Sequence, residues 1–284
     1  MNKITCSSAL QEAKQLLATI TDQPLLEATI LLAFILHKPR SYLYAHPEID
    51  IDSSTVQQFK QCMERRLQGE PVAYITGKKE FWTFELTVTP ATLIPRPETE
   101  LLVEWVLRQF PAEAQIQIAD LGTGSGAIAL ALASERPHWK IYATDNSASA
   151  LQVAKDNAAN LNIKNIIFCQ GNWCEALPVE MRNKFNCIVS NPPYIAEAEW
   201  PAFSKQLAFE PVQALASGND GLDAIRLLIP QASTYLCYEG WLVVEHGYLQ
   251  ANKVRDLLTR AGYRSVNSIA DLAGHERITF GCVL

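Results

Sequence analysis

The sequence predicts an α/β protein in which a small helical bundle precedes a doubly wound, mostly parallel sheet. From residue 115 onward, apolar runs rich in β-branched residues alternate with helical runs, which is typical of a parallel sheet with helices on both faces. Residues 1–73 show helical periodicity instead. With 284 residues, 48% of them hydrophobic, the chain is long enough for two domains that each bury a core.

The first predicted domain, residues 1–73, contains three helices. Ser8 opens a capping-box pattern before the first helix. Pro24 suits the first turn of a second helix that reaches His37, and a third helix begins near Ser53. This domain holds no cluster of catalytic residue types, so we expect it to recognise the substrate or to act as a scaffold.

Residues 74–97 are predicted to form a β-hairpin linker with Gly77 near its start. Its apolar residues are Tyr74, Ile75, Phe81, Trp82, Phe84, Leu86 and Val88. The segment 94–100 then opens a helix, because prolines and acidic residues favour a helix N-terminus. Arg96 lies between two prolines of this segment, where a rigid loop could present it to a substrate.

The second predicted domain, residues 98–284, contains seven strands and the helices between them. We predict strands at 115–121, 140–144, 166–170, 185–190, 241–245, around 266 and at 277–284, and helices at 125–135, 147–161, 221–236 and 250–261. The last two strands have no helix between them, so they must pair in an antiparallel way.

Composition restricts the class of protein. A net charge of −6 argues against a protein that grips long stretches of nucleic acid. Seven cysteines without a C-x-x-C pair indicate reduced thiols in a cytoplasm, and the five histidines show no metal-ligand spacing. The N-terminal residues Met1–Lys3 and the polar residues after them fit neither a secretory signal nor a transit peptide. The longest apolar run, 29–36, is too short to span a bilayer. We therefore expect no metal and no membrane partner.

A glycine-rich loop, Asp-Leu-Gly-Thr-Gly-Ser-Gly at 120–126, lies between the first strand of the sheet and its helix. Such a loop lets a ligand approach the backbone, and the helix N-terminus favours an anionic group. The next strand ends in Asp145, nineteen residues after Gly126, where a carboxylate can accept from two ribose hydroxyls. The predicted cofactor-binding residues are Gly122, Thr123, Gly124, Ser125, Gly126 and Asp145.

Two cofactors are compatible with this loop. With Ala127 it also matches the G-x-G-x-x-A pattern of dinucleotide-binding enzymes. Asp120, directly before the first glycine, would repel a pyrophosphate but could bind an ammonium group, which favours S-adenosylmethionine. After the third strand, Asn172 could accept from an adenine amino group and Trp173 could stack on adenine, although Trp173 also suits a core position.

The segment Asn191-Pro192-Pro193-Tyr194 follows the predicted strand 185–190. Its prolines lack N–H donors and leave carbonyls without a ladder partner, and Asn191 adds a side-chain acceptor. Two acceptors and the flat ring of Tyr194 suit a planar –NH2 group held with its nitrogen toward an electrophile. As an isolated string, the segment could also be an ordinary turn.

The chain resembles the protein-(glutamine-N5) methyltransferases, and within them the group that methylates peptide chain release factors. The likeness extends over nearly the whole length, with the segments 71–77, 94–100, 120–126, 191–194 and 245–247 and with Asp145. It implies a class I S-adenosylmethionine-dependent methyltransferase with a Rossmann-like, seven-stranded mostly parallel sheet. The segment 191–194 alone is shared with adenine-N6 and cytosine-N4 DNA methyltransferases, whereas 94–100 is more discriminating.

The resemblance also implies roles for individual residues. The glycine loop from Gly122 to Gly126, Asp145, Trp173 and Asn191 would bind the cofactor. Asn191, Pro192, Pro193 and Tyr194 would hold the glutamine of a Gly-Gly-Gln tripeptide. From its place between two prolines, we predict that Arg96 also binds the substrate. Relatives often carry Asp where this chain has Asn172, so the acceptor for adenine survives without its charge. We expect a release factor as partner, no stable nucleic-acid binding, and a monomer.

The mechanism expected from these residues assigns catalysis to Asn191, Pro192 and Tyr194. Hydrogen bonds to Asn191 Oδ1 and the Pro192 carbonyl would hold both amide hydrogens and stabilise positive charge as it develops. Glu98, Glu245 and His246 are bases by type, but we favour structural roles for them. The alternatives are a ribosomal-protein glutamine, an amino group of nucleic acid, and a binding module without catalysis. The chain has both the cofactor loop (120–126) and a segment suited to hold the substrate amide (191–194, the clamp). The presence of both argues against a binding module without catalysis.

Overall fold

The computed structural model describes residues 4–203 and 207–284. Met1–Lys3, which belong to the segment for which we expect no signal peptide, lie outside the described residues. Contacts divide the described chain into two compact units. The first comprises residues 4–78 with 207–209, and the second comprises 79–203 with 210–284.

The first unit is a helical bundle with one short strand pair. In chain order it contains β1 (Ile4–Thr5), α1 (Cys6–Leu17), α2 (Pro24–Leu36), α3 (Arg40–Ala45), β2 (Asp50–Ile51), α4 (Ser53–Leu67) and α5 (Val72–Thr76). The strands β1 and β2 pair antiparallel. Leu17 from α1, Leu31 and Leu32 from α2, and Phe59 from α4 meet in a buried core, so the apolar stripe of each helix faces the others.

Three local predictions for this unit were wrong. The first helix begins at Cys6, because Thr5 rather than Ser8 is its N-cap, and Thr5 and Ser8 form the capping box together. The helix α3 was missed, since six residues are too few to show a clear period. Tyr74 and Ile75 lie in the helix α5 instead of a strand, and both are buried.

The second unit contains a hairpin and a seven-stranded sheet with its helices. The hairpin is β3 (Lys78–Phe81), whose first residue is counted with the first unit, and β4 (Phe84–Thr87). Then follow α6 (Glu100–Gln109), β5 (Gln117–Leu121), α7 (Ala127–Glu135), β6 (Lys140–Asp145), α8 (Ala148–Asn160), β7 (Ile166–Gln170), β8 (Phe185–Ser190), α9 (Trp200–Phe203), α10 (Asp223–Tyr235), β9 (Leu236–Glu245), α11 (Ala251–Arg260), β10 (Arg264–Ala270) and β11 (Glu276–Cys282). Single 3-10 turns lie at Pro97–Thr99, Trp173–Ala176, Val179–Met181 and Val212–Ala214.

The sheet has the strand order β10-β11-β9-β8-β5-β6-β7. Its pairs are parallel from β9 to β7, and β11 pairs antiparallel with both β9 and β10. The predicted mostly parallel seven-stranded sheet and its antiparallel final pair are confirmed. Alternate residues of β5 enter different core layers, since Ile118 packs in one cluster and Ala119 and Leu121 in the other.

Three neighbouring strands bring the predicted site together. In the registers of β5, β8 and β9, Leu121 lies opposite Ser190, and Ser190 lies opposite Val244. The loops that follow these parallel strands therefore leave the sheet at one edge, which is where open α/β sheets bind ligands. Among the described residues, no helix is long and apolar enough to cross a membrane.

Candidate active site

The glycine loop after β5 is tied to the end of β6. The backbone N–H groups of Gly122 and Thr123 both donate to the Thr144 carbonyl, at 2.9 and 2.8 Å. Asp145 Oδ2 accepts from the Gly124 N–H at 2.9 Å. Burial raises the pKa of Asp145, although its bonds to backbone N–H groups lower it. The loop and this carboxylate therefore form one structure.

Two glycines of the loop have a left-handed backbone but differ in the space that surrounds them. At Gly126, with φ of 88°, an added Cβ would lie 2.9 Å from Leu130 Cδ1 and 3.2 Å from Ala154 Cβ. At Gly124, with φ of 56°, an added Cβ would meet nothing within 4 Å. Gly126 therefore allows close packing inside the protein, whereas Gly124 leaves open space in the loop for a ligand.

Asp120 lies beneath the loop. It is fully buried, and its Oδ2 accepts from Thr123 Oγ1 at 2.6 Å and from the Ala129 N–H at 3.2 Å. Its Oδ1 has no partner within the described residues, and burial raises its pKa to about 7. Its observed bonds hold the loop against α7, and its role toward an ammonium group stays a prediction.

A cavity of about 280 Å³ opens beside the loop. The predicted site residues that line it are Arg96, Gly122, Thr123, Gly124, Ser125, Asp145, Asn172, Trp173, Asn191 and Pro193. Gly126, Pro192 and Tyr194 lie outside this lining. Gly126 caps α7, and Tyr194 directs its hydroxyl to Glu245. Trp173 contributes an aromatic ring, and its Cζ3 atom lies only 3.2 Å from the position of a Cβ on Gly122.

A chain of hydrogen bonds runs from Asn191 into the protein. Asn191 Nδ2 donates to Thr99 Oγ1 at 3.1 Å, and Thr99 Oγ1 donates to Glu245 Oε2 at 2.7 Å. The Tyr194 hydroxyl donates to the other oxygen, Glu245 Oε1, at 3.3 Å. Thr99 and Glu245 are 4% and 1% exposed, so the bond between them is shielded from water.

Burial is the main influence on the pKa values of Glu245 and Tyr194. It raises the pKa of Glu245 to about 7, against the lowering effect of the bonds from Thr99 and Tyr194. Glu98 raises the same pKa further and Arg277 lowers it. The pKa of Tyr194 is also raised, first by burial and then by Glu245, so its hydroxyl stays a donor.

The backbone of the 191–196 segment is held by two later parts of the chain. The Ile195 N–H donates to the Leu215 carbonyl at 2.8 Å, and the Ser217 N–H donates to the Ile195 carbonyl at 2.9 Å. Gln250 Nε2 donates to the Tyr194 carbonyl at 3.0 Å. Within the described residues nothing donates to the Pro192 carbonyl, so it remains an available acceptor.

Arg96 forms an ion pair with Glu210 in which only the glutamate is fully buried. Its Nη2 pairs with Glu210 Oε1, while Glu210 Oε2 accepts from the Ile94 N–H at 3.0 Å. The Arg96 side chain is 34% exposed and that of Glu210 is 2% exposed. Arg96 also lines the cavity, and the ion pair with Glu210 holds one side of its guanidinium in place.

Thr99 and Glu210 were missed by the sequence analysis. Thr99 lies inside the segment 94–100, but a threonine beside two acids gives no signal of its own. Glu210 lies in no motif. His246 is buried between the Gly247 carbonyl and Thr279 Oγ1, and burial lowers its pKa. Across the two described ranges, no group of three His, Cys, Asp or Glu side chains could hold a metal.

The lining fits S-adenosylmethionine. Gly124 leaves room where a side chain would fill the space. The Asp145 carboxylate keeps lone pairs for hydroxyl groups beyond its bonds to Gly124 and Ser147. Asn172 and Trp173 supply an amide and an aromatic ring on the same wall of the cavity.

Two family models match the chain. "PrmC N-terminal domain" matches residues 8–77 and "Methyltransferase small domain" matches residues 98–222. The release factor glutamine methyltransferase of Coxiella burnetii is 49% identical over 275 residues, which cover 97% of this chain and 98% of the relative. The protein of the same name from Xylella fastidiosa strain Temecula1 is 45% identical and covers 94% and 96%.

Among solved structures, the hMettl16 catalytic domain in complex with MAT2A 3'UTR hairpin 1 superposes with a TM-score of 0.59. It is 13% identical and covers 89% of this chain and 90% of its own. The RsmC rRNA methyltransferase of T. Thermophilus in complex with AdoMet and guanosine has a TM-score of 0.53 at 17% identity, over 73% and 50%. At these identities the likeness shows the fold, which is that of class I S-adenosylmethionine-dependent methyltransferases.

Proposed function

We propose, from the premise that this chain belongs to the release factor glutamine methyltransferase family, that it methylates a release factor. The reaction would transfer a methyl group from S-adenosylmethionine to the side-chain amide nitrogen of the glutamine in a Gly-Gly-Gln tripeptide. The product would be N5-methylglutamine with S-adenosylhomocysteine. We expect a monomer that acts in the cytoplasm and forms no stable complex with nucleic acid.

One observation carries the proposal. The glycine loop, Asp145 and the start of the 191–194 segment line the same cavity. A donor held by the loop and an amide held by Asn191 would therefore meet in one space without any rearrangement of the sheet. Bringing two reactants into such contact accounts for a large part of the rate of a bimolecular transfer.

The cofactor side of the cavity would be held by this chain as follows. When bound, S-adenosylmethionine supplies a methyl group made electrophilic by its sulfonium. Asp145 would accept from the ribose hydroxyls, which is the usual role of an acid at the end of this strand. Asn172 would accept from the adenine amino group, and the Trp173 ring would stack on the adenine.

The substrate side would be held by two acceptors and a ring. A carboxamide nitrogen is a poor nucleophile, because its lone pair is delocalised into the carbonyl. Asn191 Oδ1 and the Pro192 carbonyl would each accept one amide hydrogen, and the Tyr194 ring would lie against the amide plane. These contacts fix the nitrogen toward the methyl group and stabilise the positive charge that develops on it.

The proton would leave to water after methyl transfer. An N-alkylated amide cation is strongly acidic, so no positioned base is required for this step. Glu245 has both oxygens engaged by Thr99 and Tyr194, and His246 has both ring nitrogens in hydrogen bonds. We assign structural roles to both.

The test is transfer of labelled methyl from S-adenosylmethionine to four purified substrates. They are a release factor, the same factor with Gln→Ala in its Gly-Gly-Gln tripeptide, a mixture of unmethylated ribosomal proteins, and unmethylated DNA. We expect label on the first only. Label on ribosomal protein or DNA but not on the release factor would overturn the proposed substrate and leave the methyltransferase chemistry standing.

We also propose that the helical N-terminal unit contributes to recognition of the release factor. An apolar groove of about 230 Å³ lies between α1 and α4 and is lined by Leu16, Phe59 and Met63. Leu16 is 47% exposed. We expect Leu16→Asp to raise KM for the intact factor, but not for a short Gly-Gly-Gln peptide. Leu227→Asp, at an equally exposed leucine of α10, is the matched control, and equal effects of both variants would contradict the role.

A further inference from the structure

We propose that Thr99 and Glu245 are positioning residues that orient the Asn191 side-chain amide so that its oxygen, and not its nitrogen, faces the substrate. The inference rests on the proposed function, because it concerns how the clamp for the glutamine amide is prepared. Neither residue needs to touch the reacting atoms.

The side-chain amide of an asparagine can lie in either of two orientations, related by a half-turn. The oxygen and the –NH2 group are nearly equal in shape, so packing hardly distinguishes them and hydrogen-bond partners decide. Asn191 lines the cavity and its Nδ2 lies 3.1 Å from Thr99 Oγ1. With Nδ2 turned to Thr99, the planar geometry of the amide directs Oδ1 to the opposite side.

Thr99 decides the orientation because its hydroxyl has a single hydrogen. That hydrogen is donated to Glu245 Oε2 at 2.7 Å, so toward Asn191 the hydroxyl can only accept. If the amide were reversed, Oδ1 would face the lone pairs of Thr99 Oγ1. A buried pair of acceptors without a hydrogen between them is strongly unfavourable.

Glu245 in turn fixes the direction of the Thr99 hydroxyl. Above its pKa of about 7, the Glu245 carboxylate only accepts hydrogen bonds. It is 1% exposed, so its oxygens must then find donors inside the protein. Oε2 takes the hydrogen of Thr99, and Oε1 takes that of Tyr194. One buried carboxylate therefore fixes the orientation of two residues of the clamp. It orients the Asn191 amide through Thr99 and the Tyr194 hydroxyl directly.

The consequence for the substrate follows from the polarity of its own –NH2 group. With Oδ1 toward the cavity, Asn191 accepts one of the amide hydrogens. With the amide reversed, two –NH2 groups would face each other and neither could accept. The three residues lie at the ends of regular elements or directly beside them, since Glu245 ends β9, Asn191 directly follows β8 and Thr99 ends a 3-10 turn before α6.

The test compares Thr99→Val with Thr99→Ser. The first variant keeps the shape of the side chain and removes the hydroxyl, and the second keeps the hydroxyl. Thr29→Val is the matched control, because it removes the hydroxyl of another buried threonine, which donates to the Leu25 carbonyl within α2. For methyl transfer to the release factor we expect Thr99→Val to lower kcat about tenfold to hundredfold, the usual effect of misplacing a reacting group. KM for the cofactor should stay within about twofold, Thr99→Ser should recover most of the rate, and Thr29→Val should match the wild type.

A second measurement is independent of the substrate. In the NMR spectrum of the protein without release factor, the Asn191 side-chain –NH2 signals, assigned with Asn191→Asp, should shift upfield in Thr99→Val and return in Thr99→Ser. Unchanged kcat and unchanged signals in Thr99→Val would overturn the inference, as would equal damage by Val and Ser. If the wild type does not methylate the release factor, the proposed function fails, and the –NH2 signals still decide whether Thr99 orients Asn191.

Discussion

Replacing each of two neighbouring glycines by alanine should separate cofactor binding from stability. Gly124 and Gly126 both have a left-handed backbone, with φ of 56° and 88°, and this costs a residue with a Cβ about 1–2 kcal/mol. Gly126→Ala would in addition press a methyl group against Leu130 and Ala154, at 2.9 and 3.2 Å. Overpacking of this kind adds about 1–3 kcal/mol. At Gly124 the added methyl group would meet only the open space of the loop.

The expected free energy of unfolding therefore falls by about 1–2 kcal/mol in Gly124→Ala and by about 2–5 kcal/mol in Gly126→Ala. Cofactor affinity should show the opposite order, with a loss of about tenfold or more in Gly124→Ala, since a methyl group would occupy the space for the ligand. Urea denaturation gives the first quantity and calorimetric titration with S-adenosylmethionine the second. Equal cofactor affinity of Gly124→Ala and the wild type would refute the assignment of this space to the cofactor.

Four further predictions concern single side chains. Asn191→Ala should fold and bind S-adenosylmethionine but lose about a hundredfold in kcat; near-normal turnover in a methylation assay would contradict the clamp. Asp145→Ala should weaken cofactor binding by about 1.5–3 kcal/mol in a calorimetric titration, and an unchanged affinity would remove it from the site. The carboxyl of Glu245, with a pKa raised from 4.5 to about 7, stabilises the fold most below pH 4.5 and loses this contribution as the pH rises through about 7. Urea midpoints should show that wild-type stability falls by up to about 3 kcal/mol more than that of Glu245→Gln between pH 5 and 8; parallel pH profiles would argue against a raised pKa. Glu210→Ala leaves the Ile94 N–H without its acceptor and should lower the free energy of unfolding by about 1–3 kcal/mol, which a urea titration against the wild type would measure.

The parts of the fold and of the cavity that could be predicted from the sequence are each a short continuous segment of the chain. The glycine loop, Asp145 and the segment from Asn191 each directly follow or end a strand with a clear apolar pattern. Because parallel strands place their carboxyl ends at one edge, the alternation of strands and helices was enough to bring these segments together. Errors concern the ends of elements and short helices. The capping box begins at Thr5 rather than at Ser8, and β9 begins at Leu236 rather than at 241.

The contacts that could not be predicted join residues that are distant in sequence and common in type. Thr99 and Glu245 are 146 residues apart, and Arg96 and Glu210 are 114 apart. A threonine or a glutamate outside a motif carries no local pattern that names its partner. Only the folded sheet shows that Glu245 ends a strand next to the one that precedes Asn191. The orientation of the clamp is therefore a tertiary property, whereas its residues form a local motif.

The same separation in sequence implies an order of assembly. The bond from Gly124 to Asp145 spans 21 residues, and it needs only β5 and β6 to be paired. The bonds from Asn191 to Thr99 and from Thr99 to Glu245 close loops of 92 and 146 residues. Closing these longer loops costs more entropy, and the bonds can form only after β8 and β9 have joined the sheet. During synthesis Glu245 emerges late in the chain, so the glycine loop can form while the amide clamp is still incomplete. Pulsed hydrogen exchange during refolding should then protect the Gly124 amide before those of β9.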